Sequence, residues 1–380
     1  MVSRLQIKQA QDRLFKGKAL IILGPRQAGK TTFTEQLLKA VNKSVLRLNG
    51  DNYDTLELLE KPNVGLLKNI IGNHEIIFID EAQRIPSIGI LIKIIVDQLK
   101  PVQVIATGSS SFDLSGKVNE PLTGRKYEIE LLPFAYSELK NDSDFLSEKR
   151  LLEQRLIYGS YPEIVSNPAK TEEHLQLLTS SYLYKDLFAL EKIQKPKTLE
   201  KLVKALALQV GSEVSMNELS KLIGVSNKTI DKYISLLEMA FVIFNLDSFS
   251  KNVRNELRKS RKIYFIDNGV LNAVIGNFNG LKNRNDHGAL WENYLMSERR
   301  KALNLTMKKV NRHFWRTTQQ QEIDYLEVTT NDMKAFEFKW SSTKSTRFSK
   351  TFLKAYPEAT SKIITPDNYH EFLEFEGKTV

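Results

Sequence analysis

The 380-residue chain has no cysteine, which excludes disulfides and every thiolate metal site. Its five histidines, His74, His174, His287, His313 and His370, lie too far apart to form a local ligand motif. A metal must then rest mainly on carboxylates and phosphates, which favour Mg2+ or Mn2+. No apolar run approaches the roughly 20 residues of a membrane span, and "MVSRLQIKQA" lacks the apolar stretch of a secretory signal. A cytoplasmic chain with no membrane partner is expected. Hydrophobic and charged contents of 41% and 26% are those of a globular protein, and the length predicts two or three domains. The net charge is +10, and from Lys251 onward 23 Lys and Arg face 15 Asp and Glu. That last third is where a polyanion would bind, although a solvated basic surface has the same composition.

Residues 24 to 32 read "GPRQAGKTT", in which Gly24, Gly29, Lys30 and Thr31 fit G-x-x-x-x-G-K-[ST]. Glycines let backbone N–H groups close around phosphates, the lysine reaches the outer phosphates, and the hydroxyl meets Mg2+. The whole stretch Gly24, Pro25, Arg26, Gln27, Ala28, Gly29, Lys30, Thr31 and Thr32 is the expected cradle for a nucleoside triphosphate, ATP. "ALIILG" before it suits a buried parallel strand, and "KTTFTEQLLKAV" after it has helical spacing of Phe33, Leu37 and Leu38.

Four further strand-like runs, "SVLRLNG", "EIIFIDE", "QVIATGSS" and "KYEIELLP", predict a parallel sheet with crossover helices. "IIFIDEAQRIP" delivers Asp80 and Glu81 to a strand's carboxyl end, where ligands of such sheets bind. Asp80 is placed to hold Mg2+ through water, and Glu81 to orient or deprotonate an attacking water. Thr107, Ser109 and Ser110 end another strand and are candidates to reach a γ-phosphate. Arg125 precedes the last strand. As an arginine finger such a group is worth about 10³ to 10⁵ in rate, whether in cis or in trans; a surface arginine at a turn has the same sequence.

"GPRQAGKTT", "FIDEAQRIP", "ATGSSSFDLSG", "PLTGR" and "YGSYPEIV", in this order, resemble the AAA-type ATPases of bacteria and archaea that carry a C-terminal domain of unknown function. The similarity spans nearly the whole chain. It implies that Lys30 and Thr31 are the Walker A residues, Asp80 and Glu81 the Walker B pair, and Thr107 to Ser109 the sensor segment. It also implies the AAA+ strand order with the P-loop strand central.

From about Glu138 the spacing turns helical, and Tyr182 and Tyr184 read as a packing stripe. "SMNELSKLIGVSNKTIDKYISLLEMAFVIFNL" predicts a helix from Asn217 to Ile223, a turn at Gly224, Val225 and Ser226, and a second helix, the pattern of a helix-turn-helix. Leu219, Leu222, Ile230, Ile234 and Leu237 are expected to pack its inner face. "FVIFNL" suits a wing strand, and six basic side chains follow in "SFSKNVRNELRKSRKIYFID". If this unit binds DNA, Asn227, Lys228, Lys232 and the basic run are the contacts; winged helices also bind proteins or simply pack.

The closing segment holds "GALWENYLMSERR", "FWRTTQQQEIDYLEV" and "KAFEFKW". The first predicts a helix exposing Glu292. The other two read as adjacent strands carrying Asp324, then Glu337 and Lys339, which share a face. Two carboxylates can hold Mg2+ or Mn2+ while the lysine activates water, the chemistry of a metal-dependent phosphodiesterase. The segment resembles the PD-(D/E)XK nuclease core; a cross-strand charge cluster would look the same.

The expected fold is α/β: a P-loop AAA+-like sheet over 1–137, a helical lid over 138–213, a winged helix-turn-helix over 214–262, and an α/β nuclease-like domain over 263–380. The expected function is an Mg2+-dependent ATPase coupled to DNA binding or processing, with a homo-oligomer among the expected assemblies. The alternative is an ATP-dependent signalling switch whose C-terminal half is a protein-interaction module.

Overall fold

The computed structural model of the chain describes residues 2–109, 122–183, 196–249, 261–317, 319–341 and 348–374. Ser110, Tyr184 and the basic residues Lys251, Arg254, Arg258 and Lys259 lie outside these, as does the side chain of Tyr182.

The apolar runs of the first part form five parallel strands, β1 (Ala19–Leu23), β2 (Val45–Asn49), β3 (Ile76–Asp80), β4 (Gln103–Gly108) and β5 (Lys126–Glu130), in the order β2-β3-β4-β1-β5. The P-loop strand β1 is interior, between β4 and β5, while β4 holds the middle place. Alternate side chains feed opposite cores, because successive residues of a strand point to opposite faces. Ile21, Leu23, Ile77 and Ile79 pack with Ile88, Leu91 and Ile95 of helix Ile88–Gln98 on one face. Leu20, Ile22, Ile76 and Phe78 meet Phe33, Leu37 and Leu38 of helix Lys30–Val41 on the other. Strand β1 is buried along its whole length, which explains its unbroken apolar run.

The rest of the chain builds a seven-stranded mixed sheet from β6 (Glu213–Val214), β7 (Ile243–Ser248), β8 (Arg261–Phe265), β9 (Asn311–Arg316), β10 (Glu322–Val328), β11 (Met333–Phe338) and β12 (Thr360–Ile364). Its order is β12-β11-β10-β9-β7-β8-β6. The boundaries expected at 213/214 and 262/263 therefore fall inside β6 and β8. Strand β7 pairs in parallel with β9 through Asp247↔His313 and Ser248↔Phe314, which carries the sheet across from the helix-turn-helix region into the closing segment. One apolar cluster runs from Leu132 to Leu373 and joins the connector helices, helices Met216–Ile223 and Asn227–Met239, and the 20-residue helix His287–Thr306.

The turn between the two short helices follows its sequence signals. Gly224 caps the first in the left-handed conformation, and Ser226 caps the second by accepting from the Thr229 N–H. Leu222 departs from its expected inward place and is 70% exposed; Ile223 packs against the core in its stead. "FWRTTQQQEIDYLEV" supplies two strands, β9 and β10, rather than one. No helix among the described residues is long and apolar enough to cross a membrane.

Candidate functional site

The phosphate loop leaves β1 at Gly24 and enters helix Lys30–Val41. A side chain at Gly24 would sit 2.0 Å from the Leu131 carbonyl oxygen, so only glycine lets the loop lie against the exit of β5. Gly29 has φ +86°, in the left-handed region, which turns the chain into the helix. Lys30 is buried, and its ammonium donates to the carbonyls of Gly24 at 3.0 Å and Pro25 at 2.9 Å, positions from which it can exchange to phosphate oxygens. Gln27, Thr31 and Thr32 are exposed at the loop mouth, Arg26 is half-buried, and Pro25 and Ala28 are buried.

The adjacent strand ends converge there. Thr31 Oγ1 donates to Asp80 Oδ2 at 3.1 Å, Thr107 Oγ1 donates to Asp80 Oδ1, and the Glu81 N–H donates to the same oxygen at 3.1 Å. All three are neutral donors, and no Lys or Arg pairs with Asp80 among the described residues. The charge of Asp80 is left for a cation, so Thr31 and Asp80 fit a Mg2+ ion accompanying a triphosphate. Glu81 lies at φ 47°, an unusual conformation for a residue with a side chain, and a Cβ at Gly50 would collide with its carbonyl oxygen at 2.3 Å.

Two neighbours escaped the sequence reading. Gln83 donates to Glu81 Oε2 and, at 3.2 Å, to Ser109 Oγ, while its own Oε1 is buried without a hydrogen-bond partner. Its spacing of two after Glu81 was the available signal. Behind the loop, buried Arg4 donates to the Ala28 carbonyl, pairs with Glu138 at 2.9 Å and lies 4.2 Å from the Phe134 ring centre.

Arg125 is not brought to this site. Its carbonyl accepts from the N–H of Ala19, the first residue of β1, so it lies at the amino end of the sheet, about 16 Å of strand away from the loop. There it pairs with Asp97, with Nε 2.8 and 3.0 Å from the two carboxylate oxygens. That pairing lowers the pKa of Asp97, chiefly through the hydrogen bond from Arg125.

The C-terminal acids form a second cluster. Strands β10 and β11 are antiparallel with Tyr325 opposite Phe336, which places Asp324 beside Glu337. A register shift between Ile323 and Leu326 against β9 bulges β10 around Asp324 and Tyr325. Asp324 Oδ2 accepts from the Phe338 N–H at 2.7 Å, and Lys339 Nζ donates to Glu337 Oε2 at 2.9 Å. Glu292 is not exposed as expected: 19% of its side chain is accessible, and its Oε1 accepts from Tyr264 Oη at 2.6 Å and from Lys262 Nζ at 3.2 Å. Lys262, on β8, also pairs with Glu322, which lies 3.5 Å from Arg316. Burial pushes the Glu292 carboxyl up to about 7 despite Lys262, and burial together with Asp324 pushes Glu337 up to about 7. Among the described residues no three His, Cys, Asp or Glu side chains meet at metal-holding spacing.

Of the expected DNA contacts, Asn227, Lys228 and Lys232 are exposed on helix Asn227–Met239, with Asn227 donating to Asn217 Oδ1 at 2.6 Å.

Comparison with known proteins places names on these regions. Residues 16–140 match the family described as AAA domain, residues 149–281 a domain of unknown function (DUF8612), and residues 287–374 a domain of unknown function (DUF4143). An uncharacterised protein of Mycobacterium tuberculosis is 28% identical over 341 residues, covering 87% of this chain and 72% of that one. An uncharacterised protein of Haemophilus influenzae is 24% identical, covering 72% of this chain and 68% of that one. Among solved structures, a Walker-type ATPase of Pyrococcus abyssi is similar with 14% identity and a TM-score of 0.49, covering 72% of this chain and 96% of that one. Residues 16–140 thus join a phosphate loop and a parallel sheet to a match with the AAA domain family, which supports a P-loop ATPase domain of the AAA type and implies ATP and a divalent ion such as Mg2+ as its ligands.

Proposed function

We propose that the chain hydrolyses ATP and couples turnover to DNA held by its C-terminal half. The observation that carries the first part is the convergence of the Thr31 and Thr107 hydroxyls on Asp80 beside the lysine of the loop. Thr31 and Asp80 would hold Mg2+, which neutralises phosphate oxygens when bound. Backbone N–H groups from Arg26 to Thr32 cradle the phosphates, Lys30 turns from the loop carbonyls to them, and Glu81 orients and deprotonates the attacking water. Thr107 and Ser109 line the γ-phosphate side. Arg125 would reach phosphates only from a second copy of the chain.

The DNA reading is supported by the exposed Lys228 and Lys232 on a serine-capped helix, in the succession β6, two helices, β7 and β8 that a winged helix requires. The excess of positive charge in the last third supports it as well. The β10–β11 pair with Glu337 and Lys339 supports a nuclease-like fold for the closing segment. ATP turnover of the purified protein, measured with and without duplex DNA while that DNA is monitored for cleavage, tests the reading. DNA should change turnover severalfold at low salt. Hydrolysis indifferent to DNA, with no binding at low salt, would favour the signalling switch.

A further inference from the structure

We infer that the Lys262 ammonium is the resident cation of the C-terminal acid cluster, so that Glu292, Glu322, Asp324 and Glu337 are held together without a divalent ion. The proposal goes beyond the ATPase reading and stands on a different part of the molecule.

Each carboxylate of the cluster already has a donor. Glu292 receives Tyr264 and Lys262, Glu322 receives Lys262 and lies near Arg316, Asp324 receives the Phe338 N–H, and Glu337 receives Lys339. Lys262 is the inner cation, with 3% of its side chain accessible, and Lys339 the outer one, with 37%. A buried ammonium is tolerated only where carboxylates surround it, and a divalent ion added to the same pocket would meet its repulsion at low dielectric. Removing the lysine should therefore leave uncompensated negative charge that recruits a metal.

The neighbouring backbone agrees with a pocket built around this pair. Gly211 has φ +75°, and a Cβ there would lie 3.1 Å from Glu292 Oε1, so the chain closes tightly over the acid that Lys262 holds. Lys262 also lies 5.4 Å from the Phe314 ring centre, which fixes the ammonium from another side. Strand β8 brings Lys262 and Tyr264 to one face, and both touch Glu292, so the strand that follows the basic segment closes the cluster. The residues expected to bind Mg2+ or Mn2+ here, Asp324 and Glu337, thus belong to a network in which Lys262, Lys339 and Arg316 supply the positive charge.

The test is Mn2+ titration of the full chain carrying Asp80→Asn, without nucleotide, read as free Mn2+ by electron paramagnetic resonance and as thermal shift. The expected result is no saturable binding and no shift. Lys262→Met in the same background should gain saturable binding, with a Kd at least about tenfold below the highest Mn2+ concentration at which the parent stays silent, that a further Glu292→Gln removes. One Mn2+ bound with Lys262 in place, and lost in Glu337→Gln, would overturn the inference. So would a folded Lys262→Met protein that stays silent, because Lys262 would then exclude nothing. Should Lys262→Met fail to fold by circular dichroism, Lys262→Arg keeps the charge and must fold and remain silent; Mn2+ binding by it would again overturn the inference. The ATPase reading is tested separately, because turnover without DNA depends on the phosphate loop.

Discussion

The two acidic sites of this chain are built from the same residue types and solve opposite problems. At the phosphate loop, Asp80 is surrounded by hydroxyls and an N–H, and the nearby lysine is parked on carbonyls. In the C-terminal cluster, lysines sit directly on Glu292, Glu322 and Glu337, while Asp324 accepts the Phe338 N–H. The first arrangement gives Asp80 neutral donors only, whereas the second places ammonium groups on Glu292, Glu322 and Glu337. Counting carboxylates would rank the second site as the better metal centre. Asking what each carboxylate already touches reverses the ranking.

The contrast breaks most sharply at the loop. Lys30→Ala should reduce ATP turnover by at least about 10²-fold, through loss of the charge-assisted phosphate contact. Glu81→Gln should bind ATP normally and hydrolyse it about 10² to 10⁴ times more slowly. Wild-type turnover in either folded variant would remove the site assignment. The next effect is that of Gln83→Ala, which frees Glu81 and Ser109 from their common donor. It should lower kcat by about tenfold while KM stays within about twofold, because Gln83 holds the base rather than the nucleotide. A rise in KM alone would make Gln83 a binding residue.

The C-terminal half should respond to salt. Lys228→Ala with Lys232→Ala should lower the slope of log affinity for duplex DNA against log salt by about 2, with turnover without DNA unchanged. An unaltered slope would move the contact surface elsewhere. A smaller effect comes from Glu292, whose folded pKa of about 7 lies above its ordinary 4.5. Between those values the folded state holds more protons than the unfolded one, so this group's stabilisation is full at low pH and is lost as pH rises through about 7. Tm should therefore carry a component that rises from pH 7.5 toward about pH 5, and Glu292→Gln should flatten it. The smallest effect is expected for Arg125→Ala: turnover unchanged in dilute protein and Tm within about a degree, since its partner is an exposed aspartate.

How much of each site could be read in advance follows from how locally it is built. Strand, glycine loop and helix N-terminus at the nucleotide site occupy one contiguous stretch, and Asp80 needs only the carboxyl end of a neighbouring parallel strand, so spacing sufficed. The placement of Arg125 was also within reach. It precedes β5, and in an all-parallel sheet a residue before a strand lies at the edge opposite a loop that follows one. The C-terminal cluster gathers Lys262 from β8, Glu292 from a helix, Asp324 from β10 and Glu337 from β11. Its closure depends on the long-range pairing of β7 with β9, which no local pattern encodes. Lys262 stands in the basic run expected to contact DNA, yet it is buried on Glu292 and Glu322, because it also begins the apolar alternation of a buried strand. Leu222 failed for a different reason. In a helix of eight residues the inner stripe is too short to choose between neighbouring apolar positions, and Ile223 took the place.

Helix His287–Thr306 gives the two sites a mechanical relation. Near its end, Arg300 and Asn304 hold Glu130, the last residue of β5, which pairs with Leu23 at the root of the phosphate loop. In its middle, Glu298 accepts from the Tyr136 N–H and pairs with Lys301, which donates to Ser160. Near its start it carries Glu292. Twelve residues of α-helix separate Glu292 from Asn304, about 18 Å, and a tilt of about 10° about one end displaces the other by about 3 Å, roughly the length of a hydrogen bond. The helix thus spans the molecule as one continuous element, with the root of the phosphate loop held near one end and the Lys262–Glu292 contact near the other.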